Sequence, residues 1–189
     1  MRVMLIRHGL TERGRKGRYQ GRLDEGLSRE GRAQLRRADV SPRRVYVSPL
    51  LRARETAEIL FPEAEQIPVP DLREMDFGAF EGRNWREMEN DDAYRTWVES
   101  GCWGRCPGGE DKVGFSRRVC AAFEALLCPE EREELFVVAH GGTQMAILEK
   151  WGRPRREYYA WQSQCGCGWE LEREADGTLR VLHEVDFRK

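Results

Sequence analysis

Two short runs of apolar residues stand out in the pattern of hydrophobic and polar positions along this chain. They are the Val-Met-Leu-Ile run at residues 3–6 and the Leu-Phe-Val-Val-Ala run at residues 135–139. A continuous apolar run of this length is typical of a strand that is buried on both faces. The first run leads into Arg7, His8 and a glycine, and the second leads into His140 and two glycines. The pattern therefore predicts two core strands that each end in a histidine.

The rest of the pattern alternates strands with amphipathic helices. Helices are predicted at residues 27–35, with Ser28 as the N-cap, and at residues 50–60, 113–127 and 143–151. Further extended segments are predicted at residues 45–47 and 67–70, and a hairpin is predicted from residues 167–172 and 179–182. The polar, glycine-containing residues 11–21 are predicted to form a loop. This alternation predicts a three-layer α/β/α fold, with a mostly parallel sheet and helices on both faces.

One stretch differs from this alternation. Residues 80–112 carry three tryptophans, Trp85, Trp97 and Trp103, among acidic residues and glycines. We interpret the stretch as a small helical cap inserted into a single domain that spans residues 1–189, since 189 residues fit one domain. Two roles stay open for the tryptophans: they form the core of the cap, or they line a pocket for an aromatic group.

Charge and composition exclude several function classes. The 32 Lys and Arg residues nearly balance the 33 Asp and Glu residues, so no overall field attracts nucleic acid or an anionic membrane. Neither a run of about 20 apolar residues nor a signal segment is present, which predicts a cytoplasmic protein. Its six cysteines are then expected to be thiols, and their spacing does not complete a metal site.

The predicted topology can bring the two histidines together. The C-terminal ends of neighbouring parallel strands meet at one edge of the sheet, and ligands bind at that edge. Arg52 lies at the start of the helix that follows the strand predicted at residues 45–47, so two imidazoles and at least two guanidiniums can converge on one pocket. Such a pocket suits a phosphoryl group, which a neutral imidazole can attack. The leaving oxygen then needs a proton from a carboxylic acid. Glu74 is the favoured acid, with Asp76 and Glu81 as alternatives.

The chain also carries an ordered series of motifs that resembles the histidine phosphatase superfamily, the phosphoglycerate mutase-like proteins. The matching segments are residues 5–11 (LIRHGLT), 17–21 (GRYQG), 27–34 (LSREGRAQ), 47–57 (VSPLLRARETA), 72–82 (LREMDFGAFEG), 107–110 (PGGE) and 137–142 (VVAHGG). They cover nearly the whole chain, and the chain looks most similar to the compact α-ribazole phosphatases and broad-specificity phosphatases of that superfamily.

The resemblance implies a role for each of several residues. It implies His8 as the phosphorylated nucleophile, Glu74 as the proton donor, and Arg7, Arg52 and His140 as groups that bind the phosphoryl oxygens. It also implies that four further residues lie near the substrate: Thr11, Gln20, Gly21 and Gly141. It implies neither a metal nor an organic cofactor.

Two positions depart from the family pattern. Gly14 stands where family members usually carry an asparagine that touches the phosphoryl group. Either one phosphate donor is missing, or Arg13 or Arg15 replaces it. Gln144 and Met145 stand where an arginine is common.

Three functions remain in competition. The first is a metal-independent phosphomonoesterase that acts on a small metabolite, such as α-ribazole 5′-phosphate or a sugar phosphate, through a phosphohistidine. The second is a phosphoglycerate mutase, which the resemblance favours less because mutases of this family usually have a longer chain. The third is a non-catalytic phosphate-binding protein, and the presence of both a nucleophile and an acid argues against it because a binding protein does not need both.

The expected partner is a small phosphomonoester, and neither nucleic acid nor a membrane is expected. The protein is expected to be a monomer or a homodimer.

Overall fold

The computed structural model describes residues 1–128 and 133–189, and its centre is a sheet of seven strands. The strands are Arg2–Arg7 (β1), Arg44–Val47 (β2), Glu65–Pro68 (β3), Glu134–Ala139 (β4), Gly152–Arg153 (β5), Cys167–Arg173 (β6) and Leu179–Asp186 (β7). Their order in the sheet is β3-β2-β4-β1-β6-β7-β5. Strand β1 pairs in parallel with β4, β2 in parallel with β3 and β4, and β5 in parallel with β7. Strand β6 runs antiparallel to β1 and β7, so the hairpin predicted in the tail is present.

Six α-helices accompany the sheet in the described residues. They are Glu12–Arg15 (α1), Arg29–Gln34 (α2), Leu51–Leu60 (α3), Asp92–Glu99 (α4), Lys112–Leu127 (α5) and Gly141–Trp151 (α6). The predicted N-cap of α2 is present, since Ser28 Oγ accepts a hydrogen bond from Gly31 N at 2.9 Å. The prediction of a plain loop at residues 11–21 is wrong at α1. There, Thr11 Oγ1 accepts from Gly14 N at 3.0 Å and caps a single helical turn.

The sheet has a hydrophobic core on each face, which confirms the predicted α/β architecture. Side chains alternate along β1, so that Leu5 lies in one core and Ile6 lies in the other. The first core includes Phe123 of α5 and the apolar face of α6, and the second includes Leu60 of α3. The continuous apolar runs in β1 and β4 follow from this, because both faces of these central strands are covered.

The 80–112 segment contributes α4 and two short 3-10 turns, Gly78–Phe80 (which begins just before it) and Arg86–Met88. Trp97 is buried in the first core, where its ring lies 5.6 Å from the ring of Tyr19 and 5.5 Å from that of Phe80. Trp85 and Trp103 are about half exposed, at 56% and 50%. Of the three tryptophans, Trp97 is therefore the one that forms part of the buried core. Within the described ranges, no helix has the length and apolar character to cross a lipid bilayer.

The second core offers a direct test of the packing. Leu60 is fully buried in it, whereas Leu182 on β7 is 42% exposed. We expect Leu60→Ala to lower the free energy of unfolding by about 2–5 kcal/mol, because it removes buried methyl groups and leaves a cavity. The matched control Leu182→Ala should change it by less than about 0.5 kcal/mol. Urea denaturation measures both, and equal losses from the two variants would contradict the assignment of this core.

Candidate active site

The ends of β1 and β4 bring two histidines together. The two strands are in register, with Arg7 opposite Ala139, and His8 N donates a hydrogen bond to Ala139 O at 3.0 Å. The imidazole rings of His8 and His140 consequently lie 5.2 Å apart, centroid to centroid, at an interplanar angle of 62°. Both rings are buried at the carboxyl edge of the sheet.

His8 is held as a neutral imidazole with a defined tautomer. Its Nδ1 lies 2.7 Å from Gly9 O, and a carbonyl oxygen only accepts, so Nδ1 carries the proton. The lone pair is then on Nε2, as a nucleophile requires. Burial holds the pKa of His8 well below its usual range, and the positive charges of Arg52 and Arg7 lower it further.

His140 is also kept neutral. Burial is again the largest cause of its lowered pKa, followed by the charge of Arg52. Its Nε2 lies 2.7 Å from Ser48 Oγ, while its buried Nδ1 has no hydrogen-bond partner among the described residues. His140 therefore has one buried ring nitrogen beside His8 that the described residues leave unsatisfied.

Arg7 and Arg52 each commit part of the guanidinium to the protein. Arg7 Nη1 donates to Ser163 O at 2.6 Å. The fully buried Arg52 uses Nη1 and Nη2 to bind Leu23 O and Gly21 O, both at 2.8 Å. In both arginines Nε is buried without a hydrogen-bond partner in the described part of the chain. Unpartnered buried donors on two arginines, next to the free imidazole nitrogen, fit an anion.

Glu74 shares this site and is held by two backbone amides. Its Oε1 accepts from Met75 N and its Oε2 accepts from Gly142 N, both at 3.0 Å. Burial raises the pKa of the Glu74 carboxyl, although these two amides, Arg52 and Arg7 pull the pKa the other way. A carboxyl with a raised pKa can carry a proton to a leaving group.

Two glycines of α6 are required by these neighbours. A Cβ on Gly142 would lie 2.2 Å from Glu74 Oε1, and a Cβ on Gly141 would lie 3.3 Å from both Cζ and Nε of Arg7. Glycine therefore lets the N-terminus of α6 approach both functional side chains. Its amides also add the positive end of the helix dipole to the site.

A cavity of about 340 Å³ opens from these residues. Its wall near the histidines includes Arg7, His8, Glu74 and Gly141, and it also includes Gln20. Much of the rest of its wall is aromatic, with the rings of Tyr19, Phe77, Trp97, Tyr158 and Tyr159. Arg52 and His140 are enclosed behind the wall and do not line the cavity.

The other predicted site residues take supporting positions. Thr11 Oγ1 donates to Gln20 Oε1 at 2.7 Å, and it does not line the cavity. Gly21 does not line it either and holds Arg52 through its carbonyl. Of the alternative acids, Asp76 accepts from Gly78 N at 2.9 Å and Glu81 accepts from Arg22 N at 2.7 Å. Neither lines the cavity, which leaves Glu74 as the carboxyl at the site.

The chain is similar to known proteins over nearly its whole length. The family model for the histidine phosphatase superfamily (branch 1) matches residues 3–185. The chain belongs to this superfamily. It is 31% identical to the adenosylcobalamin/alpha-ribazole phosphatase of Salmonella typhimurium, with 97% of this chain and 96% of that protein covered.

Two solved structures show the same superfamily fold. The alpha-ribazole phosphatase of Shigella flexneri superposes with a TM-score of 0.81, at 30% identity and 96% coverage of both chains. A phosphoglycerate mutase of Thermus thermophilus superposes with a TM-score of 0.73, at 32% identity and 98% coverage of both chains.

The departure from the superfamily pattern at Gly14 is not compensated by its neighbours. Gly14 lines the cavity, but Arg13 and Arg15 do not. Arg13 Nη1 lies 3.5 Å from Glu25 Oε1, and Arg15 Nη2 lies 2.5 Å from Glu12 Oε1. Neither arginine occupies the place of the usual asparagine in this structure, because each faces a carboxylate outside the cavity.

Three residues that are not among the predicted site residues support this histidine phosphatase site, two through their side chains and Ser163 through its backbone carbonyl. Ser48 contacts His140, and Ser163 contacts Arg7. Thr56 Oγ1 accepts from Gly9 N at 2.9 Å and so ties α3 to the end of β1. Ser48 and Thr56 lie inside a recognised motif, which was a signal for them, whereas no pattern in the sequence points to Ser163.

The contact between Gly142 and Glu74 yields a prediction. Gly142→Ala should lower kcat about 100-fold, because the new methyl group displaces the carboxyl that the reaction needs as an acid. Gly104→Ala is the matched control, since Gly104 does not line the cavity and its Cβ would meet Ser100 Oγ at 3.3 Å and Trp97 Cδ1 only at an ordinary contact distance of 3.8 Å. Steady-state kinetics and thermal melting of both variants provide the comparison. Unchanged kcat in folded Gly142→Ala would contradict the placement of Glu74 at the reaction centre.

Proposed function

We propose that this histidine phosphatase hydrolyses a small phosphomonoester through a phosphohistidine formed at His8 Nε2, without a metal ion. One observation carries the proposal: a neutral imidazole with a free Nε2 lone pair opens into a cavity that also contains a buried carboxyl. In the residues near that imidazole, Nε of Arg7, Nε of Arg52 and Nδ1 of His140 are buried without partners in the described part of the chain.

In the first step His8 Nε2 attacks the phosphorus atom, and the bond from phosphorus to the ester oxygen breaks. Glu74 gives its proton to that oxygen, so the product leaves as a neutral alcohol. Arg7 on the cavity wall and Arg52 behind it neutralise the charge on the remaining oxygens, and the neutral His140 contributes a hydrogen bond from its ring. The phosphorylated ring is cationic, and its Nδ1–H remains bonded to Gly9 O, which stabilises this charge.

In the second step a water molecule attacks the phosphorus atom from the side that the alcohol has left. The Glu74 carboxylate takes a proton from the water, the bond between nitrogen and phosphorus breaks, and its electron pair returns to Nε2. Inorganic phosphate leaves, and both His8 and Glu74 regain their starting protonation states.

The aromatic part of the cavity wall favours a bulky, planar leaving group that has no acidic substituent. Its aromatic rings offer stacking surfaces, and two cations of the cavity wall, Arg18 and Lys112, are already paired with carboxylates. Arg18 donates to both carboxylate oxygens of Glu87 at 2.8 and 2.6 Å, and Lys112 Nζ lies 3.3 Å from Glu149 Oε1. We therefore rank α-ribazole 5′-phosphate first, in line with the relatives' names, and a sugar phosphate second.

Phosphoglycerate mutase is the second candidate, favoured by the similarity to the Thermus thermophilus structure. A phosphoglycerate carries a carboxylate, which needs a free cation on the wall that Arg18 and Lys112 do not supply. A mutase would interconvert phosphoglycerates faster than it releases phosphate. Assay with 3-phosphoglycerate separates the two functions directly.

The nucleophile is tested by substitution. The wild-type protein should release phosphate from α-ribazole 5′-phosphate and p-nitrophenyl phosphate in excess EDTA, because its own arginines supply the positive charge. His8→Ala should lower kcat at least about 1,000-fold, because the covalent pathway is lost. The control His183→Ala, at an exposed position on β7, should stay within about twofold. Full activity of His8→Ala, or loss of wild-type activity in EDTA, would overturn the proposal.

The proton donor is tested by pH. Glu74 acts while protonated, so activity is present below its raised pKa and is lost as pH rises through it. His8 acts while neutral, so activity falls only well below pH 6.5. Glu74→Gln should remove the alkaline limb and lower kcat for an alkyl phosphate about 10²–10⁴-fold. The loss should be smaller for p-nitrophenyl phosphate, whose leaving group departs without a proton.

The control for this experiment is Asp76→Asn, in which the side-chain oxygen that accepts from Gly78 N is retained. It should keep the alkaline limb. The opposite result, an alkaline limb lost in Asp76→Asn and kept in Glu74→Gln, would assign the acid to Asp76 instead.

A further inference from the structure

We propose that Gln144 and Ser163 are positioning residues that hold the Arg7 guanidinium in its orientation toward the phosphoryl group. This inference rests on the proposed function, in which Arg7 binds the phosphoryl oxygens. Neither Gln144 nor Ser163 lines the cavity, so both act through Arg7.

A chain of three hydrogen bonds connects the residues. Gln144, buried in α6, donates from Nε2 to Leu5 O at 2.9 Å. The buried Ser163 donates from Oγ to Gln144 Oε1 at 2.6 Å. Ser163 O then accepts from Arg7 Nη1 at 2.6 Å. The chain starts on β1 at Leu5 and returns to β1 at Arg7, two residues further along the strand.

The chemistry of the groups fixes the direction of each bond. A carbonyl cannot donate, so the Gln144 amide must present its NH₂ to Leu5 and its oxygen to the Ser163 hydroxyl. A side chain with both a donor and an acceptor is required at Gln144. An apolar residue at either position would leave a buried polar partner unsatisfied.

A second tie holds the same segment against the end of β1. Gly166 N lies within hydrogen-bond distance of two carbonyl oxygens, Arg7 O at 3.2 Å and His8 O at 3.1 Å. Residues 163–166 are thus attached to the side chain of Arg7 and to the backbone of Arg7 and His8. The Gln144 amide fixes the distance between Ser163 and strand β1, since it bonds to both Ser163 Oγ and Leu5 O.

These contacts fix the orientation of the Arg7 guanidinium. Its Nη1 is committed to Ser163 O, and its plane lies against Gly141. These two contacts leave Nε without a partner in the described residues and keep the guanidinium on the cavity wall. Displacement of such a group by about 1 Å can lower a rate about 100-fold.

The test is a double-mutant cycle read by inhibition with vanadate, a phosphate analogue. Ser163→Ala removes only the hydroxyl and keeps the carbonyl that Arg7 uses. It should raise the vanadate Ki and lower kcat/KM about 10-fold, while the loss of one buried hydrogen bond lowers the melting temperature by only a few degrees. Ser163→Thr, which keeps a hydroxyl, should stay within about threefold of the wild type.

The same change in an Arg7→Met background should alter the vanadate Ki less than about twofold, because the group being positioned is gone. An equal effect in both backgrounds, or none in the wild-type background, would overturn the inference. If Ser163→Ala does not fold, Gln144→Met is carried through the same cycle. Arg7→Met alone tests the proposed function: if it leaves vanadate affinity unchanged, the role of Arg7 fails, whatever the effect of Ser163→Ala.

Discussion

The parallel pairing of β1 with β4 is the constraint on which the site depends. The register that sets Arg7 opposite Ala139 places the residues after both strands side by side, and these residues are the two histidines. A slip by one residue would reverse which face each side chain occupies and would separate the imidazoles. The apolar residues of β1 and β4, packed on both faces, hold that register, so the core and the catalytic geometry are stabilised by the same contacts.

Burial then gives the groups their chemistry, and it acts in opposite directions on different side chains. It lowers the pKa of His8 and His140 and raises the pKa of Glu74. Burial in a single pocket thus favours a neutral nucleophile and a protonated acid at the same pH. Arg7 and Arg52 can remain charged in that pocket because backbone carbonyls accept hydrogen bonds from both.

Much of this organisation could be predicted from the sequence, since the apolar runs, the His-Gly ends and the motifs are local signals. Ser28, as an N-cap, and the tail hairpin are of the same kind. The supports of the site could not be predicted in this way. Arg7 and Ser163 are 156 positions apart, and their contact arises only when the chain from α6 to β6 returns to β1. The single turn of α1 was missed because one Thr11 cap outweighs a glycine-containing, polar sequence.

The central claim is that His8 attacks phosphorus through Nε2, and the phosphorylated protein itself tests it most directly. Rapid acid-free quenching during turnover of p-nitrophenyl phosphate, followed by heteronuclear NMR of the labelled imidazole, identifies the nitrogen that carries phosphorus. We predict one phosphoryl group per chain on Nε2 of His8, because Nδ1 donates its proton to Gly9 O. A phosphoryl group on Nδ1 or on another residue, or turnover without any phosphorylated protein, would contradict this account.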